Sequence, residues 1–320
     1  MKNRLLFLIF LACLGVSCNH QQNSKTDKNE AVRIGWALWS GWYPMAIAAE
    51  LNLFEKHGVN VEPILYSSYT EIFGDLASGK IDAGYSGLYE ILKSEIPDIK
   101  VVLITDHSNG AEGLVVSPDI KMAKDLKGKT IGIQGQLSGS EFLITTYLRK
   151  NGLSWTDIRA VDVSPEKVLE IISSKTDGVY TWDPYLSQAK AHGYNLIVTT
   201  ADMPGLIIDV VAFQGKLVKE HPGKIKAFAN AWFEAVEFWK NNPDSANALI
   251  HKHTGLKLSE ITTEGCLLFT RDDNIRAFTD TAGFFSIHQT ARIQTEFLQS
   301  MGDISLIPHP DSILCGLFIK

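Results

Sequence analysis

Cysteine is scarce in this 320-residue chain: Cys13, Cys18, Cys266 and Cys315 are all there is. None stands in C-x-x-C spacing or beside a paired histidine motif, so no metal-ligand set can be read. Basic charge is short as well. Thirty Lys and Arg face 36 Asp and Glu, a formal net charge of −6, and no basic run follows the N-terminal segment. A nucleic-acid binder would show a basic face, so that class is excluded. Catalytic signatures are missing too: there is no G-x-S-x-G, no H-E-x-x-H and no G-x-G-x-x-G after a strand. Gly74-Asp-Leu-Ala-Ser-Gly79-Lys80 opens like a phosphate-binding loop, but Ile81 follows where Ser or Thr is required. It reads as a helix stop. The nine histidines are scattered, and His251 and His253 read as a solvated pair near a helix end. No cofactor, no metal and no enzymatic activity are expected.

What is present begins with a leader. Lys2 and Arg4 precede the apolar run LLFLIFLACLGV, which is too short for a comfortable membrane span and suits a secretion signal. It closes on Leu14-Gly-Val-Ser-Cys18 and gives way to the polar NHQQNSKTDKNE, which reads as disordered. This resembles a bacterial lipoprotein signal: residues 1–17 a signal peptide, Cys18 the lipidated residue, 18–31 a tether. Cys18 is preferred to Cys13 because small Ser17 precedes it, although Gly15 stands where the usual pattern has Leu. Several acyl chains would hold the protein stably at a membrane surface, where one chain is marginal. Cleavage to a soluble secreted protein is the alternative, and both place the chain outside the cytoplasm.

The remainder reads as one pattern written twice. A strand at 32–36 leads to a helix opened by Pro44 and stopped by Gly58; a strand at 59–65 leads to a helix opened by Ser68-Tyr-Thr-Glu71. The strand IDAGY and a helix beginning near Ser86 follow. From 125 the order repeats: a strand through Ile133, a helix opened by Ser138-Gly-Ser-Glu141 and stopped by Gly152, a strand at 158–163, a helix opened by Ser164-Pro165, and the strand TDGVYTW. Gly35 to Gly58 spans 23 residues and Gly132 to Gly152 spans 20; Gly58 to Asp82 spans 24 and Gly152 to Asp177 spans 25. Alternating strands and helices imply two similar α/β lobes built on parallel sheets. Strand-like segments at 100–104, 113–116, 195–199 and 206–213 place crossings near Glu112 and Pro204. Lobe 1 is then 32–112 with 205–320, and lobe 2 is 113–204. Amphipathic helices at 224–240 and 282–302 complete the chain, with Phe228, Ala231, Trp232, Ala235 and Trp239 on one stripe.

Ligands of open α/β sheets sit at strand ends. There, Trp39, Ser40, Trp42 and Tyr43 crowd a turn after the first strand, suited to wall an apolar or cationic ligand. Ser86-Gly87, Ser138-Gly139-Ser140 and Trp182-Asp183 stand at helix starts, where free N–H groups suit an anion and simple capping is the plainer role. Asp183 is either a cap or the partner of an ammonium group. Asn109 and His107 lie at the end of the strand leading to the crossing, His107 as either packing or contact.

The segments GWALWSGWYPMAIAAELNLFEKHGVNVE, LASGKIDAGYSG, DLKGKTIGIQGQLSGSEFLI, TDGVYTWDPYLSQA and KEHPGKIKAFANAWFEAVEFWKNNPDSA carry a resemblance. The chain resembles the solute-binding proteins of ABC importers, in the group that binds nitrate, taurine, alkanesulfonates and thiamine pyrimidines. The resemblance runs from 32 to the mid-250s. It implies two Rossmann-like α/β lobes joined by a two-strand hinge, the type II periplasmic-binding fold, closing on a small ligand. That ligand would be anionic or zwitterionic, nitrogen- or sulfur-containing, or heteroaromatic. It would be held by the first-strand turn, Ser86, the 138–140 helix start and the Trp182-Asp183 corner. ABC permease and ATPase subunits are the implied partners of a monomer. A ligand-sensing lipoprotein of a signalling receptor would share these features. A related thiamine-pyrimidine enzyme would need a cysteine-rich run that is absent here.

Overall fold

The computed structural model describes residues 30–94, 96–135, 138–283, 285–301 and 309–320. The leader, Cys18 and nearly all of the tether lie outside the described residues. Ala31–Lys320 form one compact unit. Among the described residues no helix is long and apolar enough to cross a membrane.

Eleven strands are described: β1 Val32–Trp36, β2 Val61–Leu65, β3 Ala83–Gly87, β4 Ile99–Ser108, β5 Glu112–Val116, β6 Thr130–Ile133, β7 Arg159–Asp162, β8 Gly178–Trp182, β9 Asn195–Thr199, β10 Ile208–Gln214 and β11 Cys266–Leu268. They form two sheets, in the orders β11-β4-β10-β3-β1-β2 and β7-β6-β8-β5-β9. Read from the far edge, β2-β1-β3-β10-β4 and β7-β6-β8-β5-β9 are the same topology. The repeat seen in the glycine spacing is a repeat of strand order.

The sheets are mixed, where an all-parallel arrangement was expected. β1 runs parallel to β2 and β3, and β6 parallel to β7 and β8. β10 is antiparallel to β3 and β4, and β5 to β8 and β9. The reversed strand is in each sheet the one by which the chain arrives from the other. A strand entering from the shared space must run away from it, while strands born from helical crossovers run towards it.

Local sequence explains most element ends. Pro44 opens the helix Pro44–Glu50, and Gly58 and Gly152 end their segments at φ +87° and +73°, a region that favours glycine. Ser138 caps the helix Gly139–Lys150 by accepting from the Glu141 N–H at 3.4 Å. Ser68 occupies the cap position of Tyr69–Ala77 without a side-chain cap bond, so the box expected there is not made. The helix expected from Ser86 begins at Leu88, because Ser86 and Gly87 still pair with β10. Gly79, φ +75°, follows the Tyr69–Ala77 helix as a stop.

The six-stranded sheet carries the larger core. Helix Pro222–Asn241 buries Phe228, Ala231, Trp232, Ala235 and Trp239, the stripe legible in the sequence. Trp232 meets Tyr85 at 5.3 Å between ring centroids, and Phe228 stacks on Phe54 at 5.8 Å. Buried Asn274 accepts the Ile104 N–H at 2.7 Å and donates to the Ile104 carbonyl at 2.9 Å, fastening helix Arg271–Thr279 to β4. The five-stranded sheet is covered on its two faces by separate clusters around Leu114 and Val115, as alternation along one strand requires.

Candidate functional site

Between the ends of the two sheets lies a cavity of about 60 Å³. Its aromatic wall is Trp39, Trp42 and Trp182, with Tyr69, Tyr89 and Tyr180. Gly87, Gly139 and Ser140 supply backbone and small side chains, and Glu90, Glu112 and Asp209 supply carboxyl groups. A wider hollow of about 340 Å³ shares Ala37, Leu38 and Trp182 with it and adds Glu166 and Tyr185. Contacts across the two sheets enclose the cavity. The Gly139 N–H donates to Glu90 Oε1 at 2.8 Å, the Tyr69 N–H to Glu166 Oε1 at 3.4 Å, and Tyr89 stacks on Phe142 at 5.3 Å.

Trp39 and Trp42 reach the wall because the turn after β1 winds into a short 3-10 segment, Ser40–Trp42. The Trp39 indole N–H donates to both oxygens of Asp106 at 3.2 Å, which holds the ring edge-on to β4. Trp42 packs between Tyr69 and Tyr85, each at 5.7 Å. Trp182 ends β8 and faces Tyr69 at 6.3 Å.

Four carboxyl groups converge here. Asp106 and Asp209 are cross-strand partners on β4 and β10. Burial raises Asp106 to about 6. Burial, then the neighbouring Asp106, Glu112 and Glu90, push Asp209 well above the usual carboxylate range. Glu112 accepts from the Tyr180 hydroxyl, and burial raises it to about 7 against the lowering effect of that bond and of Ser108. Glu90 is raised by burial, opposed first by the Gly139 N–H. Among the described lining residues there is no Lys, Arg or His. Like charges gathered out of water can persist only if protonated or met by a cation.

The cavity thus brings together six of the residues that the sequence nominates: Trp39, Trp42, Gly87, Gly139, Ser140 and Trp182. The other six stand behind or away from it. Ser40 is buried in the turn, and Tyr43 turns into the core against Trp239 at 6.1 Å. The Ser86 hydroxyl meets the Tyr69 hydroxyl at 2.9 Å, buried under the wall. The Asn109 N–H donates to the Gly265 carbonyl at 2.8 Å, in the crossing. Ser138 caps its helix. Asp183 accepts the Ser187 N–H at 2.9 Å, in the first turn of the helix Tyr185–Ala191 whose cap position is Pro184, while its own N–H donates to the Ala111 carbonyl.

His107 packs on Phe269 at 4.5 Å, and burial lowers it to about 4. His251 is exposed, with Nδ1 2.6 Å from the Leu256 carbonyl, and His253 is half-buried, with Nδ1 3.1 Å from Glu50. Among the described residues no group of His, Cys, Asp or Glu is arranged to hold a metal ion. The acids at the wall were missed from sequence. Their signal was available, since Ile207-Ile208-Asp209-Val210-Val211 sets one carboxylate in an apolar strand, where a charge is costly unless used.

A family model described as the NMT1-like family matches residues 25–252. A protein of Brucella abortus (strain 2308), described only as a binding protein with no ligand named, is 27% identical over 247 residues, 74% of this chain and 75% of that one. The taurine-binding periplasmic protein of Escherichia coli (strain K12) is 26% identical over 224 residues, 67% of this chain and 69% of that one. The crystal structure of the periplasmic aliphatic sulphonate binding protein from Escherichia coli shares the fold at a TM-score of 0.69 and 21% identity, covering 88% of this chain and 91% of that one.

Proposed function

The chain belongs to the NMT1-like family, and from that membership we propose that it is the extracytoplasmic solute-binding subunit of an ABC importer. It captures one small polar ligand in the cavity between two lobes, 32–112 with 205–320 and 113–204, and presents the closed form to permease and ATPase subunits. The observation that carries this reading is the cavity itself, enclosed at the strand ends of two sheets that share a five-strand order and walled by three tryptophans. Strand ends are where open α/β folds bind ligands, and concave, largely apolar sites with a few placed polar groups suit small molecules. The described wall offers carboxyl groups and aromatic faces, the donor set of a binding site.

Closure would occur about residues 109–111 and 200–207, where the chain passes between the sheets. Native mass spectrometry of freshly purified protein should find one co-purified small molecule. Solution scattering should show a smaller radius of gyration with that molecule than without it. No bound species and an unchanged radius would end the proposal.

Anchoring through Cys18 belongs to the same proposal, on the leader pattern alone. Cys18→Ser should remove the acyl mass or leave an uncleaved leader, and Cys13→Ser should do neither. An intact mass showing a mature N-terminus elsewhere, without lipid, would retire the anchor and leave ligand capture untouched.

A further inference from the structure

The helix Gly139–Lys150 runs twelve residues, and its first N–H groups and dipole make its start a place for an anion. An anionic solute would be expected there, beside the small residues at 138–140. The structure fills the position from within. Glu90, on the helix Leu88–Lys93 that follows β3, accepts the Gly139 N–H with Oε1 at 2.8 Å.

That carboxylate lies against two glycines. A Cβ on Gly87 would fall 2.3 Å from Glu90 Oε2, and one on Gly139 would fall 3.2 Å from Oε1. The first separation is one that real Cβ atoms do not adopt. The neighbouring hydroxyls are engaged as well: Ser138 donates to the Gly135 carbonyl at 3.0 Å, and Ser140 accepts the Gln134 N–H at 3.2 Å.

What remains facing the cavity is acidic and aromatic. Glu112 and Asp209 line it beside Glu90, with Asp106 directly behind on the paired strand. Lys93 is the cation that acts on Glu90, and it is not among the lining residues. An anion entering this space would meet three carboxyl groups and find the helix start already taken. A cation would relieve their mutual repulsion and could lie on an indole face.

We propose that the cavity selects a small organic cation, an amine or amidine whose charged end fills the cavity of about 60 Å³ while its flat apolar part extends into the hollow of about 340 Å³ that shares Trp182, and that Glu90 sets this selectivity by holding the anion position of the Gly139–Lys150 helix with its own carboxylate. The proposal rests on the solute-binding reading and narrows it, since the sequence alone favoured an anionic or zwitterionic ligand. Binding of such a cation draws protons off the raised carboxyl groups, so affinity falls as pH drops below about 7, where Glu112 takes up its proton.

Calorimetric titration of the intact chain at pH 8 with benzamidinium chloride and with sodium methanesulfonate tests this. The wild type should bind benzamidinium and show no methanesulfonate binding. Glu90→Gln keeps an acceptor for the Gly139 N–H and removes the charge, so benzamidinium should weaken by roughly tenfold or more. Glu90→Ala opens that N–H, so methanesulfonate binding should appear. Melting temperatures without ligand check that both variants fold, and Glu90→Asp, which keeps the charge, should retain the preference for the cation. Equal binding of the two probes by the wild type, no binding of either, or an unchanged preference in Glu90→Gln and Glu90→Ala would overturn the inference. The two readings fail separately. An anion co-purified with the wild type would sink cation selection and leave solute binding standing, whereas no ligand of either sign and no change in scattering would sink solute binding.

Discussion

Gly265→Ala is expected to lower the melting temperature by about 6–15 °C, against about 2–4 °C for the same substitution at Gly255. Both glycines have left-handed backbones, at φ +74° and +76°. An alanine in either pays the cost of that conformation, about 1 kcal/mol. Nothing lies within 4 Å of a Cβ on Gly255, the last cap of the helix Pro243–Thr254. At Gly265 a Cβ would fall 2.4 Å from the Ala111 nitrogen and 2.8 Å from the Gly110 carbonyl carbon. Both are backbone atoms, so no side chain can swing aside, and main chain must shift at a cost of roughly a further 2–3 kcal/mol.

The main chain in question is the first passage between the sheets. The Gly265 carbonyl accepts from the Asn109 N–H at 2.8 Å and from the Ala111 N–H at 3.1 Å, so a displaced Gly265 loosens 109–111 as well. Thermal unfolding of the two variants side by side decides the matter. Equal losses would mean that the close approach of residue 265 to the crossing carries no energy.

That approach shows why some of the fold was legible and some was not. The βα units could be read because each is local: a glycine stop, a capping serine and an apolar strand lie within about twenty-five residues, and their order repeats. Reversed strands are a property of how the chain returns from elsewhere, and nothing local in 208–214 states the direction in which it will run. β11 is three residues long and exists because β4 offers its edge; Cys266, Leu267 and Leu268 have no period of their own to announce it.

The site divides in the same way. Trp39 and Trp42 were visible as large aromatics in the turn after the first strand, where burial is harder, and Trp182 only as part of a helix start. Tyr43 looked like them in sequence, yet it opens the helix Pro44–Glu50 and packs inward on Trp239. Ser86 and Gly87 were read as a ligand-facing helix start. The helix begins at Leu88, two residues later than Ser86, and alternation along β3 puts the Ser86 hydroxyl beneath the wall while Gly87 faces the cavity. Glu90, Glu112 and Asp209 come from three distant segments, and only folding gathers them. The isolation of Asp209 in an apolar strand was the readable sign, and the convergence of the three was not.

Convergence of that kind is costly before a ligand arrives. Glu112→Gln should stabilise the ligand-free protein at pH 8 and leave its stability at pH 4 nearly unchanged. In the folded state the Glu112 carboxyl is raised from its ordinary 4.5 to about 7, chiefly by burial. Between those two values the folded chain keeps a proton that the unfolded chain has released. The folded state therefore binds more protons than the unfolded one, and stability falls as pH rises through that window. Below about 4.5 both states are protonated and the group is silent; above about 7 the full penalty stands. Each tenfold gain in proton affinity on folding costs about 1.4 kcal/mol once the proton is gone, so the penalty is on the order of 3 kcal/mol. Removing it should raise the melting temperature at pH 8 by several degrees. Glutamine keeps the shape and still accepts from the Tyr180 hydroxyl, so packing is spared. Asp106 and Glu90 also raise Glu112, and the substitution relieves them in turn. The same variant should bind benzamidinium more weakly by roughly tenfold or more, because a charge-assisted bond to a buried cation is lost. A gain in stability paired with a loss of binding is the mark of a group held in an unfavourable state for the sake of its ligand. Thermal melts of wild type and variant at pH 4, 6 and 8 give the test. A variant that melts at or below the wild-type temperature at pH 8 would show that Glu112 is an ordinary structural acid.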